Sequence, residues 1–437
     1  MAKAPAPQSI VRIGVLGCGN VGAAFVQLVE RQADIIEART GVRLQVANVA
    51  VRNISREREV ALPNGVLTRD AHAVVADPSI DLIVEVIGGI EPARELISTA
   101  IANGKPVVTA NKELLANVGH ELWAQSDAAG VDLLFEAAVA GGIPLIRALR
   151  ESLRGEPITR VMGIVNGTTN FILTKMTEEG ADYSAALSEA QRLGFAERDP
   201  TADVEGFDAG AKAAIIASIA FGARIVAGDV YHEGISGITA ADIAIAKRLG
   251  YVVKLLAIAE QENQSDPVAV RVHPAMVPFS HPLASVRDSY NAVFVEGDAV
   301  GSLMFYGRGA GGAPTASSVV GDVVAAARHR ITGSVGPAQS IYADLEVRSI
   351  GEAKTSYYLN LKVSDESGVL AAISNEFAKH DVSIQAVRQD GEGDAASLII
   401  RTHEAPESRL RATVEALESM TAVREVLGVM RVEGAGA

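Results

Sequence analysis

One cysteine, Cys18, stands in 437 residues, so the chain holds no intramolecular disulfide, which fits a reducing cytosol. Aromatic side chains make up 4%, so the cores must be aliphatic and alanine-rich. Basic residues are outnumbered, 39 Lys and Arg against 53 Asp and Glu, for a formal charge of −14. That shortage excludes a nucleic-acid backbone as partner, and the acidic excess serves solubility. Long apolar runs are missing too. The uncharged stretch 213–223 is too short to span a bilayer, so no membrane partner is expected. The first eight residues are rich in Ala and Pro without an apolar stretch of the signal-peptide kind. A soluble, cytoplasmic protein is expected. The eight histidines show neither H-x3-H nor Cys/His metal spacing, which leaves zinc chemistry unsupported.

What is present is ordinary in bulk: 48% hydrophobic and 21% charged residues, the composition of a globular protein with roughly two to four domains. Along the chain, residues 10–16 form an apolar run that ends in Gly17-Cys18-Gly19-Asn20-Val21-Gly22. Phe25, Leu28, Val29 and Ile36 then recur at helical spacing, predicting a helix over 23–38. Strands are expected at 44–51, 81–87 and 106–109, with a helix at 92–103. Strand and helix in alternation predict a doubly wound parallel sheet, the α/β Rossmann class, over 1–135.

From 136 to 312 the pattern changes to helices (144–153, 183–193, 208–224, 240–249) with strands at 158–165, 252–259 and 292–296. This is the expected α+β domain for substrate and dimerisation. A glycine-rich turn at 307–314 opens a helix, 315–328, expected to return to the first domain as part of a 313–330 segment. Residues 331–354 have weak periodicity and are expected to be a linker. The last segment, 355–437, follows a βαββαβ pattern: strand 357–363, helix 368–379, strands 384–388 and 396–401, helix 407–418 and strand 423–431.

The glycine loop carries the first chemistry. Gly17 permits a tight turn, Gly19 lets backbone approach a pyrophosphate, and Gly22 lets the helix pack close to the strand. A helix N-terminus beyond it offers N–H groups and partial positive charge to phosphate. The strand over 44–51 runs into Val51-Arg52-Asn53 with no acid at its tip, where an NAD-binding sheet usually places one. A guanidinium there suits a 2′-phosphate, so NADP is preferred and NAD allowed. The competing reading makes Arg52 a solvated loop residue.

The densest stretch is 190–212, AQRLGFAERDPTADVEGFDAGAK. Asp208 and Lys212 are four apart and share one helix face. An exposed ion pair of this spacing contributes little. Here, however, no charge follows until Arg224, so the helix is expected to be buried all round, and charges at its head need partners or a polar cleft. A desolvated lysine beside a carboxylate can give or take a proton. Cys18 sits in the glycine loop, away from this block, which argues against a thiolate nucleophile there.

The spacing A-x3-G-F-A-x2-D-P-x2-D-V-x-G-x-D-x3-K from Ala190 to Lys212 resembles the homoserine dehydrogenase signature. Glu85-Val86-Ile87-Gly88-Gly89, Thr109-Ala110-Asn111-Lys112, the 136–144 segment and Asn166-Gly167-Thr168-Thr169-Asn170 agree, in the order of that family and over nearly the whole chain. The resemblance implies NAD(P)H-dependent interconversion of L-aspartate 4-semialdehyde and L-homoserine, in threonine, methionine and isoleucine biosynthesis. Lys212 would donate the proton with Asp208 beside it, and Lys112 would lie by the nicotinamide. Gly194, Glu197 and Asp203 would line the homoserine pocket. Cys18, Asn20, Val21, Arg52, Lys112 and Gly309 would contact the dinucleotide. Backbone carbonyls of Glu136, Val139, Gly141 and Ile143 would hold Na+ or K+.

The C-terminal segment resembles the ACT fold through 359–363, 364–370 and 382–389. The resemblance implies an effector loop at Asp365 and Gly368, threonine as effector, and a homodimer or homotetramer. A pure oligomerisation platform is the competing reading of this domain. An amino-acid sensor on a dehydrogenase scaffold, or a dehydrogenase for another amino or hydroxy acid, is the competing reading of the whole.

Overall fold

The computed structural model describes residues 9–338, 345–391 and 396–434, which form two compact units. The first takes in 9–161, 211–230 and 290–338; the second takes in 162–210, 231–289 and most of the chain after 345.

In the first unit, short apolar segments buried on both faces build a parallel sheet. Its strands are β1 (Ser9–Leu16), β2 (Val42–Ala50), β3 (Leu67–Thr68), β4 (Leu82–Glu85), β5 (Val107–Thr109) and β6 (Leu133–Leu134), in the order β3-β2-β1-β4-β5-β6. The crossover between β1 and β2 is the helix Asn20–Thr40. The order reverses at β1, which puts a crevice at the carboxyl ends of β1 and β4, where doubly wound sheets bind ligands. One core joins Val11, Ile13 and Val15 of β1, Phe25, Val26 and Val29 of the first helix, and Ala316, Val319, Val323 and Ala326 of the helix Gly312–Thr332. A segment some 180 residues beyond the sheet (316 against 137) thus completes its core. This unit also contains an antiparallel hairpin, Tyr290–Gly297 with Gly301–Arg308, in register from Tyr290↔Arg308 to Gly297↔Gly301.

Three expectations need correction here. The strand expected at 81–87 ends at Glu85, because that carboxylate turns back onto the amides of Ile87 and Gly88. The helix expected at 144–153 is present from Ile146, with π-type geometry over Ala148–Ser152. Its first amides, Ile146 and Arg147, are claimed by the Glu136 carboxylate at 2.7 and 2.9 Å. The stretch 331–354 is more structured than a linker, with the end of the long helix, a strand Val347–Arg348 and a 3-10 turn Ile350–Glu352. Residues 339–344 within it lie outside the described residues.

The second unit is organised on antiparallel strands. Tyr251–Glu260 pairs with Val268–Pro278, and Val268–Pro278 pairs in parallel with Val423–Val432 at Ala275↔Arg431. From there the sheet continues through Lys354–Val363 and Ser397–Thr402 to Ile384–Asp390. Helices Val369–Lys379 and Glu407–Glu418 cover it over a core of Leu359, Leu361, Phe377, Leu398, Ile400 and Leu417. Two buried guanidinium groups stitch the C-terminal strand in. Arg271 reaches Glu260 at 2.6 Å and Glu433 at 3.2 Å. Arg431 reaches Glu407 and Glu233, each at 2.6 Å.

Candidate active site

The glycine loop is forced by sterics. Gly17 has φ 101°, and a Cβ there would lie 2.7 Å from the Val86 carbonyl oxygen. A Cβ on Gly22 would lie 2.5 Å from the Gly17 carbonyl oxygen, so only glycine lets the helix start this close to the strand. Asn20 and Val21 open a 21-residue helix whose N-cap, Gly19, supplies no side-chain hydrogen bond. Its N-terminal amides suit an anionic oxygen.

A cavity of about 430 Å³ borders Gly17, Cys18 and Gly19 and is walled by Arg52, Arg58 and Arg69. Sequence reasoning named only Arg52. Arg58 also shapes the wall, donating to the carbonyls of Asn53 at 2.5 Å and Arg56 at 2.6 Å. Arg58 and Arg69 lie beyond the end of β2 in a segment without periodicity, so only the density of basic residues there could have flagged them. Cys18 is half-buried and its thiol is pushed up by that burial, against the opposing Arg58 charge; it lines a wall and is a poor thiolate. Gly312 packs on Asn20, where a Cβ would lie 2.5 Å from its Oδ1. The turn that contains Gly309 is thereby held against the glycine loop.

At the end of β4 the sequence buries a carboxylate. Glu85 accepts from Ile87 N at 2.7 Å and from Thr109 Oγ1 at 2.5 Å, and its burial pushes the carboxyl up. Thr109 Oγ1 accepts in turn from Asn111 N at 3.0 Å. Asn111 donates to Gly89 O at 2.7 Å and caps the helix Lys112–Ala129 by accepting from Leu114 N. Lys112, half-buried, is the first residue of that helix. An acid closing an apolar strand was the signal for Glu85, and an Asn before a helix was the signal for Asn111.

Of the candidate cation ligands, Gly141 is in close contact with the dinucleotide candidate Gly309: a Cβ on Gly141 would lie 2.4 Å from Gly309 O. Gly141 O accepts from Ser318 Oγ at 2.8 Å and Ile143 O from Leu145 N at 2.9 Å, which leaves each a second lone pair. Glu136 and Val139 are buried in the same turn, and Ala140 and Gly141 are both left-handed. Asp322, pushed up to about 7 by burial, accepts from Glu136 N at 2.8 Å and from Arg147 at 2.6 Å. Among the described residues no three His, Cys, Asp or Glu side chains are grouped to hold a metal ion.

The acidic block takes its shape from one amide. Asn166 is the N-cap of the helix Gly167–Glu179, its Oδ1 accepting from Thr169 N at 2.9 Å. Its Nδ2 donates to Asp203 Oδ1 at 2.7 Å and to Asp208 Oδ2 at 2.9 Å. Asp203 comes from the short helix Thr201–Val204, and Asp208 from the first turn of the helix Phe207–Phe221. Lys212 stands one turn on in that helix. Asp208 is 7% and Lys212 9% exposed, so both are buried as expected. Residues 213–217 beyond them are buried as well. Gly194, with φ 79°, and Glu197 lie on an exposed turn after the helix Tyr183–Arg192. Gln191 steadies it by donating to Glu197 O at 3.0 Å, and Thr168 Oγ1 donates to Phe195 O at 2.6 Å. The structure therefore joins Asp203 to Asp208 and leaves Glu197 on the surface. Asp365 is exposed, and Gly368, with φ 94°, heads the helix Val369–Lys379.

Three family models match in the order these sites occur. They are the homoserine dehydrogenase NAD-binding domain over 17–136, homoserine dehydrogenase over 144–324 and the ACT domain over 357–421. A homoserine dehydrogenase from Corynebacterium glutamicum is 51% identical, over 98% of this chain and 96% of that protein. The chain belongs to the homoserine dehydrogenase family. Its fold agrees: a homoserine dehydrogenase structure from Thiobacillus denitrificans superposes with a TM-score of 0.91 at 42% identity, covering 98% and 99% of the two chains. A hyperthermophilic archaeal homoserine dehydrogenase in complex with NADPH matches at TM-score 0.61 and 29% identity, over 72% of this chain and 97% of that one. Homoserine dehydrogenase membership makes the chain an oxidoreductase. Its architecture is a Rossmann-like sheet, a mixed-sheet substrate domain and a C-terminal ACT domain.

Proposed function

We propose that the chain interconverts L-aspartate 4-semialdehyde and L-homoserine, with NADP preferred over NAD, in threonine, methionine and isoleucine biosynthesis in the cytoplasm. The observation that carries this reading is the pairing of half-buried Asp203 and buried Asp208 on Asn166, with the buried Lys212 one turn beyond Asp208. Asp203 faces the substrate ammonium, with Glu197 in reach of it from the exposed turn beside Gly194. Lys212 holds the proton that the carbonyl oxygen gains on reduction, and a cation there stabilises a developing alkoxide. Asp208 keeps Lys212 charged and oriented. Lys112 contacts the nicotinamide side of the site.

The bound dinucleotide supplies the hydride. Its pyrophosphate is held at the loop Gly17–Gly22 with Cys18, Gly19, Asn20 and Val21, and Gly309 closes over it. Arg52 reads the 2′-phosphate, supported by the basic cavity wall and the lack of an acid after β2. The archaeal relative bound to NADPH is in keeping with this. Carbonyls of Glu136, Val139, Gly141 and Ile143 hold Na+ or K+.

The same reading divides the chain into a dinucleotide domain (1–135, completed by 313–330), a catalytic and dimerisation domain (136–312), a connecting segment (331–354) and an ACT domain (355–437). Threonine binds at the loop Asp365–Gly368, and the enzyme is a homodimer or homotetramer. The test is Lys212→Ala: kcat falls by about 10²–10⁴-fold, the range of one general acid, while NADP affinity is retained. Unchanged turnover would remove Lys212 from the proton's path.

A further inference from the structure

Two carboxylates that accept from one NH2 group lie within a few ångströms of each other. Asp203 Oδ1 is 2.7 Å and Asp208 Oδ2 2.9 Å from Asn166 Nδ2. Asp208 is buried and Asp203 half-buried. Like charges this close and this poorly hydrated favour protonation of one partner. Asn166 opposes that by giving one N–H to each, and charge-assisted bonds of this kind favour the ionised form. The amide itself has little freedom to turn away. Its oxygen is committed to the helix cap through Thr169 N and Oγ1 at 2.9 and 3.1 Å.

The helix it caps is anchored one turn further on. Asn170 donates to Asp288 O at 2.9 Å and accepts from the buried Lys254 Nζ at 2.9 Å. At Gly167 a Cβ would lie 2.7 Å from Ser289 O, so the chain is pinned immediately beside Asn166.

We infer that Asn166 is a positioning residue for the reaction: its amide holds Asp203 and Asp208 apart, ionised and aimed, so that one can receive the substrate ammonium and the other can serve Lys212. This rests on the roles proposed above for the two acids. The charged groups bonded to the amide are Asp203 from the helix Thr201–Val204 and Asp208 from the first turn of the helix Phe207–Phe221. Asn166 touches neither cofactor nor substrate in this reading; it acts through the two acids.

The deciding variant is Asn166→Asp. Aspartate is as good an N-cap as asparagine, so the helix cap survives. Both N–H donors are lost and a third carboxylate enters. The full-length enzyme carrying Asn166→Asp is compared with wild type for homoserine oxidation across pH. Its thermal midpoint and NADP affinity are measured alongside. The expected result is a fall in kcat/KM of at least about 10–100-fold, the range of one hydrogen bond to a charged group, since two such bonds are lost. It is shared between a higher KM and a lower kcat, and the acid limb of the pH profile moves to higher pH. NADP affinity stays near wild type, and the thermal midpoint falls with the added buried charge but stays above the assay temperature.

Asn166→Ser, which caps and keeps one donor, recovers part of the loss. An Asn166→Asp enzyme with kcat/KM within threefold of wild type and an unmoved acid limb overturns the inference. So does an Asn166→Ser enzyme no better than Asn166→Asp. If wild type itself fails to oxidise homoserine, the proposed function falls instead, and the two failures are told apart in one experiment.

Discussion

Lys254 sits in the strand Tyr251–Glu260 with 2% of its surface exposed, and its charge makes a measurable signature. Burial pushes its pKa from 10.5 down to about 8, opposed by Glu178 and aided by Arg287. Nζ donates to Asn170 Oδ1 at 2.9 Å and to Val286 O at 2.5 Å, clamping the 286–288 turn to the helix that Asn166 begins. The folded chain sheds this proton near pH 8 and the unfolded chain near 10.5. In that window the unfolded state binds more protons, so this group makes stability rise with pH. A fall of about 2.5 pH units, at 1.36 kcal/mol each, is about 3 kcal/mol, an order-of-magnitude figure.

Lys254→Met keeps the length and removes the titration, leaving two acceptors without their donor at a cost of about 1–3 kcal/mol each. Denaturant unfolding of both proteins at pH 7, 8, 9 and 10 isolates the term, because every other group cancels in the difference. Far-UV circular dichroism is the probe of choice, since the single tryptophan, Trp123, lies in the other unit. Wild type should gain on Lys254→Met by about 2 kcal/mol between pH 8 and pH 10. A difference that stays flat within about 0.5 kcal/mol over that range, the usual size of additivity error, refutes the reasoning.

Two other perturbations probe other parts of the account. Arg52→Ala should weaken NADP binding by about 10–100-fold and NAD binding by less than about threefold, read by cofactor titration; equal losses for both would show that the guanidinium does not read a 2′-phosphate. Glu407→Gln removes the negative charge that pairs the buried Arg431 at 2.6 Å and weakens the Tyr357 hydroxyl bond of 2.7 Å. Unfolding of the C-terminal unit should lose about 3–5 kcal/mol, and a loss under about 1 kcal/mol would mean that Glu233 alone satisfies the guanidinium.

Much of the fold could be read before any coordinates. The alternation of short apolar strands with amphipathic helices up to Thr109 and the βαββαβ ending are both local patterns, and the structure carries both. One missed element has a plain cause. The strand Val268–Pro278 buries Arg271 and His273, and charged letters inside a strand break the apolar run that reveals one. Burial pushes His273 down to about 3, which keeps its ring neutral beside the two arginines. The helices Lys112–Ala129 and Gly167–Glu179 were visible only as the motifs at their heads, although Asn111 and Asn166 are both ordinary N-cap signals. In the site, the burial of Asp208 and Lys212 followed from the uncharged run behind them. The contact between Asp203 and Asp208 through Asn166 did not, because 37 and 42 residues separate them from the amide and no spacing rule spans such a distance.

The most direct test of the central claim is reduction of cofactor by purified protein with L-homoserine at alkaline pH, followed by the absorbance of NADPH or NADH, each with and without threonine. The expected result is homoserine-dependent reduction, faster with NADP than with NAD at equal concentration and slowed by threonine. Reduction of neither cofactor by homoserine, in protein that binds NADP, would contradict the account.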